Sequence, residues 1–479
     1  MINIGRQPSS DWLAIGLIGI SSVLLGIWAV KHTIALRNIL LVLGSIASIV
    51  YCIRLWQSEK PNQFLKSGYA LPYLCVSLSL AWVAMHYLFF SKFPEQQLSE
   101  LNSTWLRAGL ATLVGCGTGL ALRRWPKAYL FLWVGILLAF FILFYEYLPK
   151  AIAKNEFFTP DYFGYIFYGK FNGVLMGIIC ITGLGGYLID YFVRNYICQP
   201  VTSNQKQKDR QPSRTWLIGL LCFIFLGIAI ILYSFVFIFD SRNGIGLALI
   251  LFGIWALSLM IALLSQLKHG HYSLKKILTG IALLICIGIV FFNFAAYQHK
   301  VNKGWQTFIE DFKVAVQIDR YTHWQNPKVL GYPKNALGQT VTINNYERIA
   351  WGLAGLREIG KQPLGIGVLD HPFIATTQPN TYANKSDKGE LLSTHSAWIE
   401  LGLAFGWIYL GLIVMTLLSI AILALQSARQ KITILSFTLM ISALYLVGEA
   451  TPKHGVEILY YFLGLLPALV IPQMDSGKV

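Results

Sequence analysis

Lys170, Arg242, Arg348 and His395 are the side chains of this sequence best suited to chemistry on an anionic substrate. Arginine presents a planar fork of donors that meets a phosphate through two bonds at once, and lysine adds a compact positive charge. Histidine titrates near neutrality and can take a proton from a hydroxyl. Three cations and one base suit a diphosphate leaving group and an acceptor alcohol, provided that the chain gathers them. Each also has a plainer reading. Lys170, in Tyr168-Gly-Lys-Phe-Asn-Gly173, and Arg242, in Asp240-Ser-Arg-Asn-Gly244, stand at the ends of apolar runs. Interfacial anchoring, snorkelling, or an ion pair with Asp240 would account for them there. A lone histidine such as His395, in Ser393-Thr-His-Ser-Ala-Trp, is more often structural than catalytic.

Arg348 can be examined further. Asn344 or Asn345 can cap a helix, Gly360 can end it and Pro363 follows, which predicts a helix over 346–359. At 100° per residue, Arg348 and Arg357 then face opposite ways. Arg348 shares its side with Gly352, Gly355 and Ile359, flanked by Trp351 and Leu356, whereas Arg357 falls with Ala350 and Glu358 on a solvated side. An arginine on an apolar face needs an anionic partner, because an unpaired buried charge is costly. That partner is either a phosphate or a structural carboxylate such as Asp370 or Glu390. Other polar residues of the same region, Lys300, Arg320, Tyr346, Asp370, His371, Glu390, Lys453 and His454, are also able to line a site.

The elements that must position these groups are membrane helices. The chain is 55% hydrophobic and only 13% charged, about half the charged fraction of soluble domains. A span needs about 20 mostly apolar residues. Twelve such runs are legible, at roughly 12–30, 35–55, 69–90, 107–123, 127–147, 172–194, 216–238, 244–264, 277–297, 398–425, 432–448 and 456–472. The expected fold is therefore an all-α polytopic membrane protein. Residues 1–297 carry nine spans, 298–396 form a long, partly helical loop, and 397–479 carry three spans and a short tail. The first run lacks a small-residue cleavage site and reads as a retained helix.

Net charge is +16, which in a membrane chain fits the positive-inside bias and contact with anionic lipid rather than nucleic acid. Arg123, Arg124 and Lys127, then Lys206, Lys208, Arg210 and Arg214, then Lys268, Lys275 and Lys276, then Arg429 and Lys431 all fall on one side of a twelve-span topology. That side is expected to be the cytoplasm, with both termini there and a polar linker at 201–214. The loop at 298–396 and the acidic turn with Glu95 and Glu100 lie opposite. Loops of that length are usually functional. GxxxxGK[ST], GxGxxG and HExxH are missing, so neither ATP-driven pumping nor a cofactor or metal is expected. Gly183, Gly185 and Gly186 sit within a span and suit helix packing. The seven cysteines show no metal-ligand spacing and read as free thiols buried among apolar residues.

The chain resembles the O-antigen ligase superfamily, which also holds O-antigen polymerases and protein O-oligosaccharyltransferases. The resemblance covers roughly residues 165–420. It rests on an ordered set: Ser241-Arg242 in a short turn, Glu347-Arg348 with Trp351, Pro363-Leu-Gly-Ile-Gly367, then His395 and an apolar helix with Gly402 and Gly406. It implies a metal-independent, inverting glycosyltransferase of the bacterial inner membrane with a periplasmic active site. The donor would be a glycan on undecaprenyl diphosphate and the acceptor a sugar hydroxyl of lipid A–core. His395 would be the base, and Arg242, Arg348 and Lys170 would hold the diphosphate. Lys170 stands where relatives often carry arginine, and Ser396 where they often carry asparagine. The acceptor therefore stays open among lipid A–core, a growing lipid-linked glycan and protein. A lipid-linked oligosaccharide flippase or secondary transporter is the reading from a different class. The scarcity of charge near the span centres weighs against it.

Overall fold

The computed structural model describes residues 8–58, 68–155, 166–197, 214–268, 274–301, 303–383, 393–427, 430–448 and 454–471. Within them the chain is almost entirely helical, with two isolated bridge pairs, Val30 with Phe167 and Lys334 with Thr340. Lipid offers no partner for a backbone amide, so long apolar runs must close their hydrogen bonds internally, and helices do this. The helices used below are α1 (Pro8–Ile27), α2 (Ile34–Ser58), α3 (Leu71–Phe89), α4 (Pro94–Arg124), α5 (Pro126–Lys154), α6 (Lys170–Phe192), α7 (Arg214–Tyr233), α8 (Arg242–Lys268), α9 (Leu274–Val301), α10 (Phe308–Ala315), α11 (Ile343–Lys361), α12 (Ala397–Ser427), α13 (Lys431–Val447) and α14 (Gly455–Val470).

Nine helices among the described residues are long and apolar enough to cross a membrane, and the chain is a multi-pass helical membrane protein. Three shorter apolar helices, Trp12–Ile27, Lys431–Val447 and Gly455–Val470, coincide with the remaining expected spans. Most boundaries agree within a few residues. The largest difference is in α4, which begins at Pro94 rather than near 107, with Gln97 and Trp105 buried in the added turns. α5 also runs on, through Pro149, and ends at Asn155 in the left-handed conformation. Tyr147 and Ala151 are buried against the bundle and carry the helix beyond the polar residues that mark a stop in the sequence. The linker at 201–213, with Lys206, Lys208 and Arg210, lies outside the described residues, as do Cys198, Glu390, Arg429 and Lys453.

α14 is the innermost helix: every residue from Gly455 to Val470 except Leu469 is buried. It packs closely on α4, where Gly115 and Gly119 sit against the carbonyls of Tyr461 and Leu465, and Gly464 sits against that of Thr112. Small residues permit this approach, and van der Waals packing is what holds helices together in lipid. The glycines of α6 act similarly: Gly183 accommodates Trp133, Gly185 accommodates Trp255 and Gly186 accommodates Thr433.

One end of the bundle gathers the connections 28–33, 90–93, 166–169, 239–241, 303–383 and 393–396, and it is called the loop end here. Lys31 N–H donates to Ile166 O, Tyr168 N–H to Ala29 O and Lys92 N–H to Ile366 O, tying those connections to one another. Residues 308–373 build a small core of Val314, Val341, Tyr346, Trp351 and Phe373 that continues into Ile399 and Leu403 of α12.

Candidate functional site

The turn before α8 is set by Asp240, in the left-handed region at φ 43°, and by Ser241. Ser241 caps α8: Gly244 N–H donates to its Oγ at 3.1 Å and Ile245 N–H to its carbonyl at 3.1 Å. Arg242 is thereby held half-buried in the first turn, with Asp240 and Asp311 as the carboxylates acting on its charge. Lys170, at the start of α6, donates to the carbonyl of Asp240, which joins the ends of α6 and α8.

α11 runs from Ile343 to Lys361, longer than the sequence suggests at both ends. Thr342, not Asn344 or Asn345, is its N-cap residue, and the helix passes through Gly360. Asn345 instead donates to Gly304 O at 2.8 Å and to Asp311 Oδ2 at 3.0 Å. Gly352, Gly355 and Ile359 are buried as expected, with Gly355 against Thr394 and Ile399. Ala350 is buried too, although it was expected on the solvated side: the small core covers it. Arg357 does lie outside, in a two-point pair with Asp319 at 2.7 and 2.8 Å, where the side chains are 46% and 80% exposed. That pair raises the Arg357 guanidinium and lowers the Asp319 carboxyl.

Arg348 reaches the opposite way. Its Nη1 donates to Val447 O at 2.7 Å, and Asn243 Nδ2, next to Arg242, donates to the same oxygen at 2.8 Å. The following carbonyl, Gly448 O, accepts from Ala397 N–H at 3.0 Å, two residues beyond His395. Phe171, next to Lys170, packs directly on Gly448. The end of α13 at Val447–Gly448 is thus a hub to which the segments bearing Lys170, Arg242, Arg348 and His395 are all fastened.

His395 occupies the left-handed region at φ 55°, an uncommon conformation for a side chain of its size that persists only when its surroundings enforce it. The residue before it is pinned by Glu400, 2% exposed, whose Oε1 accepts from Thr394 N–H and Thr394 Oγ1, each at 2.7 Å. The imidazole lies 5.5 Å from the Trp351 ring, tilted by 30°, one helical turn from Arg348. Chemically, the arrangement offers several cations for an anion and, against the Trp351 ring, an imidazole for a proton.

The Pro363–Gly367 segment has a structural task. α12 is broken at Gly406 (φ 72°, ψ −170°), where a side chain would strike Pro363 O. The break leaves carbonyls without helical partners. Ile366 N–H takes Leu403 O at 3.0 Å, Gly367 N–H takes Ala404 O at 2.8 Å and Trp82 Nε1 takes Phe405 O at 2.8 Å. His86 Nε2, which must carry the proton to meet a carbonyl, bonds Leu364 O at 3.1 Å.

A second polar cluster lies beside the site, and of its members only His454 was named as a candidate from the sequence. Glu457, 1% exposed in the first turn of α14, accepts from Arg107 Nε at 2.5 Å and Trp28 Nε1 at 2.9 Å, and lies 3.0 Å from His454 Nδ1. Arg37, equally buried, donates to Trp28 O at 2.7 Å and to Tyr168 Oη at 3.0 Å. Tyr168 is two residues from Lys170, so this network braces one wall of the site. Its sequence signal is a charge at or inside an apolar run, a rare placement that needs a partner. Among the other polar candidates, Tyr346 is buried with its hydroxyl on Tyr321 O, Arg320 stacks on Tyr321 and Lys300 is exposed. Asp370 and His371 lie next to each other, and Glu100 accepts from the Leu369 and Asp370 amides. No family model and no curated protein matches the chain.

Proposed function

We propose that the chain is a glycosyltransferase of the O-antigen ligase type, moving a glycan from undecaprenyl diphosphate to a sugar hydroxyl of lipid A–core. In this reading it crosses the bacterial inner membrane twelve times, with its loop end in the periplasm and both termini in the cytoplasm. The basic residues Arg123, Arg124, Lys127, Arg214, Lys268 and Lys431 support that orientation, since they stand at the helix ends away from the loop end.

The observation that carries the proposal is the fastening of four distant segments, with Lys170, Arg242, Arg348 and His395, to the end of α13. Arg242 and Arg348 hold the diphosphate, and Lys170 secures the turn that presents Arg242. His395 takes the proton of the acceptor hydroxyl. The acceptor oxygen forms a bond to the anomeric carbon as the carbon–oxygen bond to diphosphate breaks. The electron pair leaves on the diphosphate, whose added charge the arginines stabilise. Attack from the opposite side inverts the anomeric centre.

The decisive experiment supplies purified protein with lipid-linked glycan and, separately, lipid A–core, short lipid-linked repeats and a pilin-like protein. Glycan on lipid A–core is expected. Glycan on the repeats or on protein would make the chain a polymerase or a protein oligosaccharyltransferase acting through the same donor half. Movement of intact lipid-linked glycan across vesicles, with the diphosphate uncleaved, would make it a transporter.

A further inference from the structure

The three helices whose loop-end termini build the site also enclose a recess on the flank of the bundle. α8 begins at Arg242, α12 begins two residues after His395, and α13 ends at Val447, the acceptor of Arg348. Farther along, the same helices line a cavity of about 400 Å³, with Ile254 and Ile261 from α8, Val414 and Ala421 from α12, and Leu435 and Ser442 from α13 among its walls. Its hydroxyls are satisfied within their own helices: Ser258 on Ile254 O at 2.8 Å, Thr438 on Ile434 O at 2.9 Å and Ser442 on Thr438 O at 2.8 Å. The recess therefore suits an occupant without polar groups.

The recess is continuous with the site along helix faces. At 100° per residue, Asn243, Ile250, Ile254, Leu257 and Ile261 fall within about 60° of one another on α8. Asn243 is the residue bonded to Val447 O, and Ile250 and Ile261 are 52% and 58% exposed. On α13 the outward line through Leu435 and Leu439 reaches Leu446, next to the same carbonyl. From Asn243 to Ile261 the track is about 27 Å long at 1.5 Å per residue, close to the ~30 Å of a whole hydrocarbon core. An acyl chain from one leaflet spans only about half of that thickness.

We propose that this track seats the polyprenyl tail of the donor. The diphosphate rests at Arg242 and Arg348, the chain descends along the Asn243–Ile261 face of α8, and its far units fill the recess between α12 and α13. The inference rests on the donor reading above and adds where the lipid lies. Because lipid is as apolar as the track, selection comes from packing against fixed walls and from length.

The test uses protein in phospholipid nanodiscs, with undecaprenyl diphosphate and farnesyl diphosphate, neither carrying a glycan, as probes. Wild type should bind the long chain about tenfold more tightly. Ala421→Trp and Ser258→Phe, which fill the recess from different helices, should each weaken the long probe about five- to tenfold and leave the short one within about twofold. Leu226→Trp, on an outward face of α7, should change neither. Equal binding of both probes by wild type, an unchanged preference in the filled variants, or equal weakening of both probes would overturn the assignment. A wild type that prefers the long chain but transfers no glycan to any acceptor would keep the track and remove the glycosyltransferase reading.

Discussion

Two places in the bundle leave helix-terminal carbonyls to be satisfied, and they are satisfied by different kinds of donor. At the Gly406 break, Leu403, Ala404 and Phe405 are met by two backbone amides and an indole, all neutral and packed inside. At the end of α13, Val447 and Gly448 are met by the Arg348 guanidinium, the Asn243 amide and a backbone N–H. Both answer the same need of an interrupted helix. The neutral donors only close the ladder, whereas a guanidinium brings a full positive charge with its bond. The first is a joint, and the second is a place where positive charge gathers.

His395→Ala should lower glycan transfer about 10²–10⁴-fold, the usual contribution of a positioned base, while the protein stays folded in the membrane. Turnover at the wild-type level in the reconstituted assay would remove His395 from the chemistry. Gly406→Ala should lower stability by several kcal/mol or abolish folding, since the side chain meets Pro363 O at a positive φ. An unchanged melting temperature would mean that the break is not obligatory. Arg348→Lys should lower kcat/KM about 10–100-fold and Arg357→Lys by less than about twofold, because lysine cannot reproduce a two-point fork and only Arg348 faces the hub. Equal losses would erase the distinction between the faces of α11.

The smallest effect sharpens the scaffold side. Asp311 is buried and accepts from Thr307, Asn335, the Thr342 amide and Asn345 at 2.8–3.1 Å. Burial works to raise its carboxyl, but these donors outweigh it and hold the group below the ordinary carboxylate range. A depressed value means that its stabilisation is present above the ordinary pKa of about 3.9 and is lost as pH falls through the folded one. Asp311→Asn should cost about 1–3 kcal/mol at pH 7, with the gap to wild type closing below about pH 4. A gap that does not depend on pH would show that shape rather than charge holds the 303–345 region.

The helices were legible because each apolar run must satisfy its own backbone in lipid, so hydropathy alone places them. The inward face of Arg348 was legible from helical period, since Gly352, Gly355 and Ile359 align with it. Ala350 escaped that reasoning, because burial there comes from a loop core folded over α11 rather than from the helix's own pattern. The Glu457 network escaped as well: Arg37 and Glu457 are about four hundred residues apart in sequence, and nothing local announces their meeting. The break at Gly406 was visible only as a spaced glycine, because its cause is the Pro363–Gly367 segment arriving from another part of the chain.

The burial of α14 on all sides also bears on how the molecule is assembled. This helix follows all the others in the sequence yet occupies the middle of the bundle. Until it enters, Gly115 and Gly119 border an empty slot, and Arg107 and Trp28 lack the carboxylate they share. The expected consequence is that the earlier helices wait ajar and that the wall behind Tyr168 closes when Glu457 arrives. Thiol labelling of Cys116 in a nascent chain arrested before Gly455 would report that waiting state, and protection equal to that of the finished protein would show that the slot closes without its plug.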